Sequence, residues 1–260
     1  MAVLWSENIP EFGAAAMVPA VVLVVYAAVG EPLLGRLAFA WLRRRRDSDP
    51  RALIRFYQLT IGAQAAWTAL IAVSVLLAAD VAPVHLGLAL PRAWGPLVAA
   101  ALGFCLAMLV VWLITRDRGR SRSHRGGAPG APPLPPPPDP GQVLAVLSPR
   151  TRAERRWAGA LAVTAGVSEE LLYRAFLVAF GTALGLPVWL AAIASCVLFA
   201  VAHVYQGWWG LVGPGLLGAL FMVLFLGTGS ILLPVLLHIL VDLRSLLLSG
   251  SGRRHRARAL

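Results

Sequence analysis

The stretch WAGALAVTAGVSEELLYRAFLVAFG, residues 157–181, decides the fold of this chain. It is long and apolar enough to cross a bilayer, since about 20 helical residues span ~30 Å of hydrocarbon. Yet Glu169, Glu170 and Arg174 stand in its middle. A charge at the bilayer centre costs at least ~2.5–3.5 kcal/mol on insertion scales, so an ionisable residue there marks a functional site by default. Further on, His203, His238, Asp242 and Arg244 lie in equally apolar surroundings.

Composition agrees with a membrane reading. Of 260 residues, 58% are hydrophobic and only 13% charged, and mean hydropathy is +0.74. A soluble domain carries roughly 25% charged residues. The net charge of +11 does not point to nucleic acid, because the arginines flank apolar runs instead of lining one polar face. All 23 basic residues are Arg and none is Lys, which suggests a GC-rich bacterial genome. Cys105 and Cys196 both sit in apolar segments, so no disulfide framework is expected. The first apolar run follows Glu7 and Glu11 and lacks the basic start of a removable signal peptide.

Apolar runs of spanning length occur at 14–35, 57–79, 96–115, 157–181, 187–206, 208–228 and 231–249. Arginine clusters follow the first (43–46) and the third (116–125), precede the fourth (150–156) and follow the last (253–258). The positive-inside rule puts such clusters in the cytoplasm. Seven crossings with the N-terminus outside satisfy all four, leaving Arg92 alone in the outer loops. The expected fold is therefore an all-α, polytopic transmembrane helical bundle of about seven helices in the cell membrane, with a cytoplasmic C-terminus. Gly- and Pro-rich 207–215 is a candidate re-entrant turn.

Four regions follow from this pattern. Residues 1–115 hold three N-terminal helices with almost no buried polar chemistry. An Arg/Gly/Pro-rich cytoplasmic linker, 116–149, contains Pro132–Pro133 and Pro135 to Pro138 and favours an extended tether. Residues 150–250 form a helical core with nearly all the buried polar chemistry, and 251–260 form a basic cytoplasmic tail. There is no internal repeat.

Within the core, Glu170 and Arg174 are i,i+4 neighbours that can pair on one helical face. Glu169 is rotated about 100° away and left without that partner. An unpaired carboxylate there requires protonation or another partner. Phe199 and His203 repeat the four-residue spacing, as do His238 and Asp242, so Asp242 is expected to orient the His238 ring. At ~1.5 Å per residue, Glu169 and His238 lie at similar depth, with His203 about two turns shallower. A polar cavity opening toward the cytoplasmic side accommodates all three.

Glu-Glu-x-x-x-Arg at 169–174, Phe-x-x-x-His at 199–203 and His-x-x-x-Asp at 238–242 together resemble the CPBP (Abi) family of intramembrane proteases. That family includes the type II CAAX prenyl endopeptidases. The resemblance covers roughly residues 150–250. It differs at Ala175, where many members have Gly, and at Asp242, where the prenyl endopeptidases have Asn. It implies an intramembrane endopeptidase in which Glu169 and His203 activate a water. His238 and residue 242 would then stabilise the oxyanion, and Arg174 would fix Glu170.

A metal-free mechanism is the expectation; zinc held by two His and a carboxylate is the alternative, although a His-Glu-x-x-His signature is absent. The implied partner is a membrane-associated or lipid-modified peptide substrate, with no nucleic acid. Two other functions use the same residues: a non-catalytic immunity or scaffold protein, and a proton-coupled transporter with Glu and His as relay. Small size and the lack of inverted repeats weigh against the transporter.

Overall fold

A computed structural model describes residues 10–78, 80–91, 95, 98, 102, 103 and 140–248. These residues are all-α, with no strand among them. Seven helices carry the architecture: α1 (Ala14–Arg45), α2 (Ala52–Leu77), the short α3 (Pro140–Leu147), α4 (152–183), α5 (188–206), α6 (Trp208–Thr228) and α7 (232–248). A 3₁₀ turn, Pro83–Leu86, lies among the described residues between α2 and α3. Of these helices α1, α2, α5 and α6 are long and apolar enough to cross a membrane; α4, with Glu169, Glu170 and Arg174 in its apolar stretch, and the shorter α7, both expected to cross, are not among them. Their outward faces suit lipid, with Leu59, Leu76, Leu216 and Val223 all exposed. The expected third span, 96–115, lies almost entirely outside the described residues, as do 116–139 and the 251–260 tail.

α4 is the central element. It packs along α2 on one side and α7 on the other, with the π segment Leu171–Phe176 against α5. α1 lies along α2, and α6 along α5. Among the described residues α1, α4 and α7 each widen into π geometry near ionisable residues, a form that recurs at functional sites. In α1 the widened turn is Tyr26–Gly30. Pro32 just beyond it has no N–H to give Ala28, and its ring crowds that carbonyl, so the wider turn accommodates it. In α4 the widening directly follows Glu170.

At the Arg-rich end the elements are pinned together. Arg46, 5% exposed, bonds Glu154 at 2.8 Å and donates to the carbonyls of Val146 and Ser148 at 3.0 Å each. Tyr57 donates to the Leu147 carbonyl at 2.5 Å. Thr151 caps α4 through the Glu154 amide, and Glu154 accepts the Thr151 amide in return, a reciprocal capping box. Burial pushes the Glu154 carboxyl up, but the Arg150 amide, the Arg46 guanidinium and the Thr151 amide outweigh it and hold the group below its ordinary value. Around these polar contacts Leu42, Leu53, Leu147 and Ala158 form an apolar cluster that Leu246 and Leu247 of α7 also touch. The start of α4 and the end of α7 therefore share one face with Arg43 to Arg46.

Two details differ from the sequence reading. Residues 140–147, at the end of the segment read as linker, are helical because Val143 and Leu147 find this cluster to pack on. The candidate re-entrant turn does not form. Gly207, with φ 77°, makes the turn alone, and Trp208–Thr228 is one helix that carries Pro214 within it.

Candidate active site

Glu169, Glu170 and Arg174 come from the middle of α4, His203 from the 3₁₀ turn that ends α5, and His238 and Asp242 from α7. α4 and α7 approach closely at Gly166. A Cβ there would stand 2.5 Å from Ile239 Cγ1 and 3.1 Å from the Ile239 amide nitrogen. One turn along, this proximity brings His238 Nδ1 within 2.7 Å of Glu170 Oε1. Arg174 Nη1 lies 3.0 Å from the same oxygen, so the i,i+4 pair read from the spacing forms. Glu170 and Arg174 are essentially fully buried. The guanidinium is seated 4.3 Å over the Phe199 ring and donates to the Gly218 carbonyl at 3.3 Å. Gly218 lets α6 come this close, because a Cβ would meet Phe199 at 2.7 Å.

One expectation about roles is corrected. Glu170, not Asp242, orients His238: Asp242 Oδ2 stands 3.9 Å from the other ring nitrogen, Nε2. The i,i+4 spacing within α7 gives proximity, but the hydrogen bond is made across the α4–α7 contact. Glu169 Oε2 also faces Nε2, at 3.8 Å. With Nδ1–H given to Glu170, a neutral His238 presents a lone pair at Nε2, whereas an imidazolium presents a second donor there.

His203 is held differently. Its Nδ1 lies 2.9 Å from the Phe199 carbonyl, which can only accept, so Nδ1 carries the proton and Nε2 keeps its lone pair in the neutral ring. Phe199 separates the two imidazoles, its ring 4.7 Å from His203 and 6.2 Å from His238. Arg244, on the widened end of α7, is exposed.

Glu169 and His203 share a cavity of about 410 Å³ with Tyr26, Glu31, Gln64 and Trp67. Its walls between α1 and α2 are apolar and include the exposed Leu34, Leu37 and Leu59. The N-terminal helices thus bring polar groups that the sequence reading had assigned almost wholly to 150–250. Gln64 Nε2 lies 3.4 Å from Glu169 Oε1, and Tyr173 donates to Glu31 Oε2 in a short hydrogen bond. Glu31 was open to discovery by the criterion that found Glu169, a carboxylate inside an apolar run; Gln64, uncharged, was not.

The donor set for zinc does not converge. Among the described residues no three His, Cys, Asp or Glu side chains form a metal-holding group. His238 Nδ1 is taken by Glu170, and His203 Nδ1 by its own helix.

Residues 153–244 match the family model described as type II CAAX prenyl endopeptidase Rce1-like. No curated protein and no solved structure matches the chain. The matched stretch opens at the start of α4 and closes at the end of α7, so it contains the helices whose contact at Gly166 assembles the buried cluster. Over that stretch the chain is similar to the CPBP/CAAX protease family.

Proposed function

We propose that this membrane-embedded protein is an intramembrane endopeptidase that hydrolyses a peptide bond of a membrane-associated or lipid-modified substrate. The observation that carries the reading is that Glu169 and His203, from two helices, line one cavity. A water between them would give its proton to the Glu169 carboxylate, with His203 Nε2 as hydrogen-bond acceptor, and attack the scissile carbonyl. The carbonyl oxygen would develop negative charge near His238. Only the doubly protonated ring has a donor at Nε2 for that charge, and the Glu170 carboxylate on Nδ1 stabilises this form. Asp242, as a carboxylate, adds no donor to the oxyanion and counters the imidazolium charge. Glu169 would then return its proton to the leaving amine. No step passes through a metal. The Arg-rich ends face the cytoplasm on the positive-inside argument, with the N-terminus outside.

The test compares membranes from cells carrying the intact gene with those carrying Glu169→Gln or His203→Ala, at matched protein abundance. Accumulation of an uncleaved membrane precursor in both variants is the expected result. Full processing by either variant would refute the assignment, and a scaffold role in the same fold would then account for the protein.

A further inference from the structure

The Glu169 carboxylate has one oxygen, Oε2, facing His238 at 3.8 Å and otherwise without a hydrogen-bond partner among the described residues. Its other oxygen, Oε1, faces the Gln64 amide at 3.4 Å. Gln64 belongs to α2, outside the stretch that matches the family model. It is 2% exposed and lines the same cavity as Glu169. A glutamine amide has a donor end and an acceptor end, so something must decide which end faces the carboxylate. Thr164, one and a half turns before Glu169 on α4, supplies the decision. Its hydroxyl lies 2.9 Å from Gln64 Oε1.

The same hydroxyl also lies 3.1 Å from the carbonyls of Ala160 and Leu161. Those carbonyls already accept helical amides, whereas Gln64 Oε1 has no other donor in the described structure. Satisfying every buried polar atom sends the hydroxyl proton to Gln64. The amide oxygen is then fixed toward Thr164 and the N–H toward Glu169.

We infer that Gln64 is a positioning residue for Glu169: oriented by Thr164, it holds the carboxylate at the cavity wall through a donated hydrogen bond. The inference rests on the peptidase reading for its effect on rate, but not for the hydrogen bond itself. The 3.4 Å separation is at the long end of the hydrogen-bonding range, as is common in catalytic sites before substrate binds. Its consequence is that the family-matched stretch does not complete the site alone; α2 must be docked on α4 for Glu169 to be held.

Two readouts test this in the purified full-length chain. The first needs no substrate. The infrared carboxyl or carboxylate stretch of Glu169 is identified by its loss in Glu169→Gln, then followed in Gln64→Leu, in the isosteric Gln64→Glu, and in Thr164→Val. A displaced Glu169 band in both Gln64 variants, with a smaller displacement in Thr164→Val reversed in Thr164→Ser, is expected. A band unmoved in a folded Gln64 variant would overturn the inference. If Gln64→Leu fails to fold, Gln64→Glu and Thr164→Val carry the test, since each keeps the side-chain volume.

The second readout is cleavage of the precursor expected to accumulate in the Glu169→Gln and His203→Ala membranes. The Gln64 variants should lower kcat by about 10- to 150-fold, the scale of one hydrogen bond to a charged group, and leave KM within about two-fold. A rise in KM alone would overturn the positioning role. A moved band with no cleavage by the intact protein would instead refute the peptidase reading and leave Gln64 as the group that holds Glu169.

Discussion

Arg174→Met separates structural from chemical roles in the buried cluster. The substitution keeps an unbranched apolar stem between Phe199 and Phe221 but removes the cation 3.0 Å from Glu170 Oε1. Breaking a buried pair by removing one partner costs about 3–5 kcal/mol, because the other charge is stranded. Glu170 would not be wholly stranded, since His238 Nδ1 remains 2.7 Å away and can carry the compensating charge. The low end, about 3 kcal/mol, is therefore expected. Loss of the Gly218 hydrogen bond and of the Phe199 cation–π contact (about 0.5–2 kcal/mol) acts in the same direction.

For a chain of this size about 3 kcal/mol corresponds to a fall in Tm of roughly 6–12 °C. Thermal unfolding of detergent-purified protein measures it, with membrane abundance as the cellular counterpart. The double variant Arg174→Met, Glu170→Leu removes both charges and should recover part of the loss, because no carboxylate is left to strand. An unchanged Tm in Arg174→Met with activity selectively lost would refute this account and place Arg174 in the chemistry itself.

Gly166→Val should push α4 from α7 at Ile239, destabilise the protein by about 1–3 kcal/mol through overpacking and abolish activity; Gly159→Val, where a Cβ meets nothing within 4 Å, is the matched control. Acid should release the Arg46–Glu154 clamp at the Arg-rich end. The Glu154 carboxyl titrates below its ordinary value in the folded state, so its stabilisation is present above the unfolded pKa and is lost as pH falls through the folded one. Hydrogen exchange at 140–150 should therefore accelerate in that acidic range in the intact protein and already be fast at neutral pH in Glu154→Gln. For the metal-free mechanism, activity should survive strong chelators; one zinc per chain, lost and regained together with activity, would refute it.

Much of the site could be read from sequence because a bilayer makes ionisable residues conspicuous. Glu169, Glu170, Arg174, His203, His238 and Asp242 were each identifiable as polar residues in apolar runs, and the i,i+4 spacing of Glu170 and Arg174 gave their contact directly. The same logic applied to α7 misled. His238 and Asp242 are neighbours in sequence geometry, yet the nearer partner of the ring is Glu170 on another helix. Spacing along one helix reports which groups can meet; competition with groups from other helices decides which do.

By itself the sequence determined that the chain is a helical membrane protein, where its apolar runs lie, and which C-terminal residues carry charge. Those properties are local, fixed by hydropathy, helix length and periodicity. Only the tertiary structure decided that α1 and α2 complete the cavity, that Glu31 and Gln64 face it, that Arg46 pins α3 and the start of α4 to the end of α1, and that Tyr57 ties α2 to α3. These contacts join residues about a hundred positions apart. Helix period and hydropathy hold no information about such pairings, because they depend on how whole helices pack, and here on glycines that let α4, α6 and α7 approach.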